Sequence, residues 1–171
     1  MRCSSDFREI NKMRSLEIQD LKGFTTHLFV KNTFDDFQIC EADFSTFASF
    51  HINGRKLAGY FDTAEQEIMD SSPYCLWHEI RPFGLSLIRG KLLPLQFRIV
   101  LRLPDRHPLC LSDPELQNEA ASQDLFLNIQ YREKKLLCTT GASLSVFTPG
   151  IRPGEKWDEA ASRFLLSIQS F

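Results

Sequence analysis

The residues of this 171-residue chain that could do chemistry are scattered. Its four histidines stand at His27, His51, His78 and His107, and its five cysteines at Cys3, Cys40, Cys75, Cys110 and Cys138. A zinc site needs ligands at tight spacing, and neither H-x-x-x-H nor a C-x-x-C pair occurs. Cys75 and His78 are near neighbours, but proximity along the chain supplies neither an activated thiol nor an oxyanion site. Glycine falls only where turns and caps are expected, so no G-x-x-x-x-G-K-S/T or G-x-G-x-x-G run is present to cradle a phosphate. Glu41 and Asp43 are the one suggestive pair. On a strand they share a face, about 7 Å apart, near enough for paired acid–base work. Solvated charges on a polar strand face are the simpler account. The sequence therefore points to no catalytic residue, no cofactor and no metal. An enzyme here needs a site built from distant residues, for which Glu41, Asp43, His51 and His78 are the candidates.

The element that positions most of these groups is the run from Gln38 to Phe61. Cys40, Ala42, Phe44, Thr46, Ala48, Phe50 and Ile52 alternate with Glu41, Asp43, Ser45, Ser49 and His51, the period of a half-buried strand. Asn53-Gly54 is a strong type I′ turn signal. A two-residue loop there pairs Ile52 with Arg55, Phe50 with Leu57, Ala48 with Gly59 and Thr46 with Phe61. The same register sets Phe47 opposite Tyr60 on the face that carries His51 and Lys56. These four residues form a candidate interaction surface.

Around this hairpin the chain reads in order. Residues 1–12 lack a sustained period and are expected to be a flexible leader, with Met13 as a candidate start; 13–171 then form a single α+β domain. A strand over Arg14 to Gln19 precedes a helix capped by Asp20 and running to about Lys31. Asp62 to Pro73 is an acidic connection with a helical turn around Ala64 to Met69. Pro82 is comfortable only in a first turn, so the next helix is expected from about Pro82 to Arg89, after a turn-like Leu76 to Ile80. Pro94 opens a strand with Leu95, Phe97, Ile99, Leu101 and Leu103 facing inward. Pro104 to Gln123 reads as a long loop with one helical turn at Pro114 to Ala121. Leu125–Tyr131 and Leu136–Phe147 form a second hairpin with Glu133-Lys134 at its tip, pairing Tyr131 with Leu136 and Ile129 with Cys138, and Gly141 marks a bulge. A terminal helix carries Trp157, Ala161, Phe164, Leu165 and Ile168 on one stripe. The expected fold is α+β, an antiparallel sheet of two hairpins plus additional strands with about three helices packed on it.

Composition narrows the class. Hydrophobic residues make up 43% and charged residues 25%, a globular balance, and 15 phenylalanines predict an aromatic core. A net charge of -2 offers no general attraction for nucleic acid, although Arg98, Arg102, Arg132, Lys134 and Lys135 could share one sheet surface. The odd, widely spaced cysteines fit reduced thiols in the cytoplasm, and no apolar run is long enough for a signal peptide core or a membrane span.

The pattern from SLEIQDLKGF through FDDFQICEADFSTFASFHINGR and WHEIRPFGLSLIRGKLLPLQFRIV resembles an uncharacterised domain-of-unknown-function family of Gram-positive anaerobes. That resemblance implies no activity, cofactor or site. The element order is also similar in topology to a single sliding-clamp-like domain, but the helices offer only Lys22, Lys31, Arg89 and adjoining Lys91 as cations. The functional expectation is a non-enzymatic cytoplasmic protein-interaction module with a protein partner or a homo-oligomeric state. The alternatives are the enzyme described above and a clamp-like nucleic-acid accessory protein.

Overall fold

A computed structural model of the chain describes residues 15–65, 72–144, 149–150 and 152–169. The elements are β1 (Ser15–Ile18), α1 (Leu21–Phe29), β2 (Gln38–Ser45), β3 (Ser49–Asn53), α2 (Trp77–Ile88), β4 (Gln96–Arg102), α3 (Pro108–Leu111), α4 (Pro114–Ser122), β5 (Gln123–Arg132), β6 (Lys135–Leu144) and α5 (Glu155–Gln169). The strands form one six-stranded sheet in the order β1-β6-β5-β4-β2-β3. Every neighbouring pair is antiparallel. The α+β expectation holds, with five α-helices where about three were expected. The leader, the Ala64–Met69 turn and Phe147 lie wholly or partly outside the described residues.

Alternation decides which face of the sheet is buried. Ala42, Phe44, Phe97, Ile99, Leu101, Leu125, Leu127, Ile129, Leu136 and Cys138 project onto the helices and are buried. Glu41, Asp43, Arg98, Arg102, Asn128 and Gln130 project the other way and keep partial access to solvent. Phenylalanine dominates the packed side: Phe29 meets the rings of Phe44, Trp77 and Phe97, while Phe34 and Phe37 meet Phe164. α1 starts as its sequence dictates, with the Asp20 carboxylate accepting from Gly23 N at 2.9 Å.

Tertiary contacts override four local expectations. The first is the β2–β3 hairpin, which does not turn at Asn53-Gly54. Glu41 pairs with Asn53, Ala42 with Ile52 and Phe44 with Phe50, so the chain reverses at 46–48. The Phe44/Phe50/Ile52 face does point inward, and only the turn is displaced. Cys40 forms a bulge where β2 pairs with β4, and this flips the parity so that Ile39 and Ala42 both reach the core. Gly54 instead passes so close to β2 that a Cβ there would lie 1.8 Å from Ile39 O.

The second is α2, which begins at Trp77 and carries Pro82 within it. An interior proline removes one helical hydrogen bond and is worth about 3 kcal/mol in an exposed helix. Here the first turn is pinned from outside. Trp77 Nε1 donates to Leu28 O at 2.7 Å, and Glu79 accepts from Leu76 N at 2.7 Å. Arg81 donates to Val30 O and Lys31 O, the free carbonyls at the end of α1, and pairs with Asp35 at 3.1 Å. Gly84 lets the helix backbone settle on Phe29 and Phe44.

The third is Pro104 to Gln123, where the helical turn expected at Pro114–Ala121 is present as α4, while α3 stands in what was expected to be loop. Each helix has proline in its first turn behind a side-chain cap, His107 for α3 and Asp113 for α4. Glu119 of α4 then caps α5, accepting from Lys156 N at 3.1 Å and Trp157 N at 2.8 Å. The fourth is Gly141, which pairs with Phe126 in unbroken register and makes no bulge. Two further expectations hold: Glu133-Lys134 turns the second hairpin with Tyr131 against Leu136 and Ile129 against Cys138, and Trp157, Ala161, Leu165 and Ile168 are buried on α5.

Candidate functional site

The most unusual surface lies at the β3 edge of the sheet, unpaired among the described residues, where the β2–β3 tip meets the connection from α2 to β4. A tight reversal at 46–48 projects Phe47 outward, 95% exposed, with its ring 5.8 Å from that of Phe50. On the other side α2 ends after Ile88, and the chain runs through Leu92 and Leu93 before Leu95 N bonds Ser45 O at 2.8 Å. Leu92 is 86% exposed, Leu93 74% and Leu95 72%, so Leu95 does not join the inward side of β4 as its alternation suggested. Together with Leu87 and Ile88 these side chains enclose a groove of about 620 Å³. Arg89 and Lys91 line it and no acidic residue does.

The geometry moves the expected surface residues apart. Tyr60 is not opposite Phe47. It sits in a 3-10 turn, Ala58–Tyr60, 86% exposed and edge-on to Phe61 at 5.5 Å. The pairing required the chain to reverse at Asn53-Gly54 and residues 55–61 to run back along 46–52, and the chain instead leaves the β2–β3 ladder there, with Lys56 N bonding Pro73 O at 2.8 Å. His51 lies on the opposite sheet face, its Nδ1 2.6 Å from Asp43. Of the four expected surface residues, Phe47 alone lines the groove. Leu92 and Leu93 had a signal in the sequence: a leucine pair between Gly90 and Pro94 belongs to no periodic element that could bury it, whereas the alternation of β4 misassigned Leu95.

The candidate acid–base groups are brought together in part and are engaged with each other. Arg98 Nη1 lies 2.8 Å from Glu41 and 3.5 Å from Asp43, so one guanidinium bridges both carboxylates. His78 stands apart, exposed on α2. Arg102 binds Asp124 at 2.7 Å and Gln38 at 2.7 Å, so it and Arg98 face carboxylates rather than forming an open cationic strip. Burial pushes the Cys40 and Cys110 thiols up to about 11 and Cys138 to about 12, and raises Cys75, the reverse of what a nucleophilic thiol needs. All four are free.

A second, polar cavity of about 770 Å³ opens beside Arg102 and His107. His107 is buried against the Phe37 ring at 4.4 Å, and its Nδ1 accepts from Leu109 N at 3.1 Å. That bond fixes Nε2 as the protonated nitrogen of the neutral ring. Burial lowers the His107 pKa to about 4, so it is a neutral donor rather than a base at neutral pH. Among the described residues, no group of His, Cys, Asp or Glu is placed to hold a metal ion. No described helix is long and apolar enough to cross a membrane.

Fold and surface together define an antiparallel α+β module with an apolar, cation-lined groove beside a free strand edge. Residues 27–170 match the model described as Family of unknown function (DUF5721), and the chain belongs to that family. No curated protein matches it, and no solved structure does.

Proposed function

We propose that this domain is a non-enzymatic protein-interaction module, and that its partner seats in the groove between Phe47 and Leu92–Leu95. The observation that carries the reading is the convergence of four large apolar side chains, each more than 70% exposed, on one concavity. Single exposed leucines are ordinary, whereas a contiguous patch of this kind marks a contact surface. Covering one such side chain contributes about 1.5–3 kcal/mol, so the groove holds enough apolar surface to bind a short segment of another protein. Arg89 and Lys91 select for carboxylates on that segment. The side chains of Tyr60, His51 and Lys56 lie outside the groove. The four free thiols among the described residues support a reducing, cytoplasmic setting.

The test compares partners retained by the wild-type chain with those retained by Phe47→Ser/Leu92→Ser, with cross-links mapped by mass spectrometry. Partners should be lost from the double variant, and wild-type cross-links should fall on Arg89 to Leu95. An identical partner set for both proteins refutes the groove.

A further inference from the structure

The edge of β3 carries the inference further, on the footing of the groove reading above. Backbone bonds from Thr46 N to Ala48 O and from Gly54 N to Cys40 O, both 2.9 Å, continue the β2–β3 register at its two ends. Hydrogen-bonded and non-bonded pairs alternate in an antiparallel ladder. Ala42/Ile52 and Phe44/Phe50 are therefore the bonded pairs, and Ser49, His51 and Asn53 turn their amides and carbonyls away from β2. β3 is the last strand of the sheet, and among the described residues no strand pairs with this side of it. The row is short, in a five-residue strand, and neither proline nor lysine guards it. Phe50 lies on this strand and also lines the groove, so side chains of a strand laid along β3 enter the groove at alternate positions.

We infer that the partner binds by strand addition: an extended segment of another protein pairs with the outward backbone of Ser49, His51 and Asn53. Its alternate apolar residues fill the groove at Phe50, and carboxylates at the end over the hairpin tip meet Arg89 and Lys91. Charge fixes the occupant. The groove is lined by two cations and no acid. β3 itself, SFHIN, has no acidic residue, so edge-to-edge pairing of two copies leaves both cations unmatched. The main-chain bonds supply affinity independent of sequence, and the groove and its cations supply selectivity.

The probe is a fluorescein-labelled peptide of about eight residues, with leucine at alternate positions and Asp-Glu at one end, made in both chain directions. Fluorescence anisotropy should show binding of one direction. Replacing Asp-Glu by Lys-Lys should weaken it about tenfold or more. Methylating the peptide amides that face β3 should abolish binding, and methylating the alternate set should leave it intact; this arm needs no change to the protein. His51→Pro removes an outward N–H without touching the β2 ladder and should weaken binding about tenfold or more, whereas His51→Ala keeps that N–H and should bind within about twofold. Equal tolerance of both methylation sets, with binding still lost in Phe47→Ser/Leu92→Ser, overturns strand addition and leaves the groove standing. Binding that survives the double variant removes both. A wild-type dimer that His51→Pro makes monomeric assigns the edge to a second copy and overturns the hetero-partner inference.

Discussion

The two hairpins of this chain reverse the usual relation between turn sequence and turn. The β2–β3 hairpin has Asn53-Gly54 at its disposal and does not turn there. The β5–β6 hairpin has neither glycine nor asparagine at its tip and still makes a two-residue reversal, with Glu133 at φ 53° and Lys134 at φ 61°. Left-handed backbone costs an ordinary residue about 1–2 kcal/mol. The ladder behind that tip runs from Gln123/Leu144 to Arg132/Lys135 without a break, and its strands are flanked by β4 and β1. Ten paired positions and a packed inner face outweigh two strained residues. β3 has only five residues and one neighbour, so its register follows what packs behind it: Phe44 and Phe50 must face α2, and Gly54 is needed where the chain crosses β2. Flanking structure decided the reversal in both cases.

The largest test of this contrast is Gly54→Ala against Asn53→Ala. A methyl 1.8 Å from Ile39 O cannot be accommodated without moving backbone, so Gly54→Ala should destabilise by about 3 kcal/mol or more in a denaturant titration. Asn53→Ala should change stability by less than about 1 kcal/mol, since its side chain only bonds Arg55 N. Equal, small effects would return Asn53-Gly54 to the role of a turn.

Acid should separate the hairpins next. His107 packs on Phe37, just before β2, and burial holds its pKa near 4 against an ordinary 6.5. Between those values the unfolded chain takes up a proton that the folded one refuses, so stability falls as pH drops from about 6.5 to about 4, by up to about 3 kcal/mol, and this contribution levels off below. Hydrogen exchange should accelerate at the start of β2 before it does in β5–β6, and His107→Gln should flatten the slope.

A smaller effect of opposite sign is expected at the other tip. Replacing Glu133-Lys134 by Asn-Gly supplies residues that accept left-handed backbone, and should stabilise by about 1 kcal/mol, a rise of about 2–4 °C in melting temperature. No rise would show that the tip holds no strain. The smallest expected effect is that of Phe47→Ser, within about 0.5 kcal/mol in stability because the ring is almost wholly exposed. A loss of partner binding without a loss of stability would mark the β2–β3 tip as a surface kept for contact.

Legibility in the sequence tracked agreement between local and distant demands. The second hairpin, the Asp20 cap and the α5 stripe were readable because periodicity, capping and burial pointed the same way. The Trp77–Arg81 turn was hidden because its bonds reach α1 and the loop after it, some fifty positions earlier in the chain. α3 and α4 were partly visible in the His107-Pro108 and Asp113-Pro114 pairs, but the three prolines nearby read more simply as a loop. Of the groove, the sequence singles out only Phe47 as a surface residue, and for a pairing that does not exist.

Sequence by itself determined the α+β class, the inward side of the Phe44/Phe50/Ile52 face, and the lack of any local catalytic or metal-binding spacing. Tertiary structure alone decided where the first hairpin turns, that α2 runs through Pro82, and that Phe47 meets Leu92, Leu93 and Leu95 beside an open strand edge. The physical reason is reach: side-chain period is a property of neighbouring residues, whereas a displaced turn, a tolerated proline and a surface groove depend on contacts between segments that only the folded chain brings together.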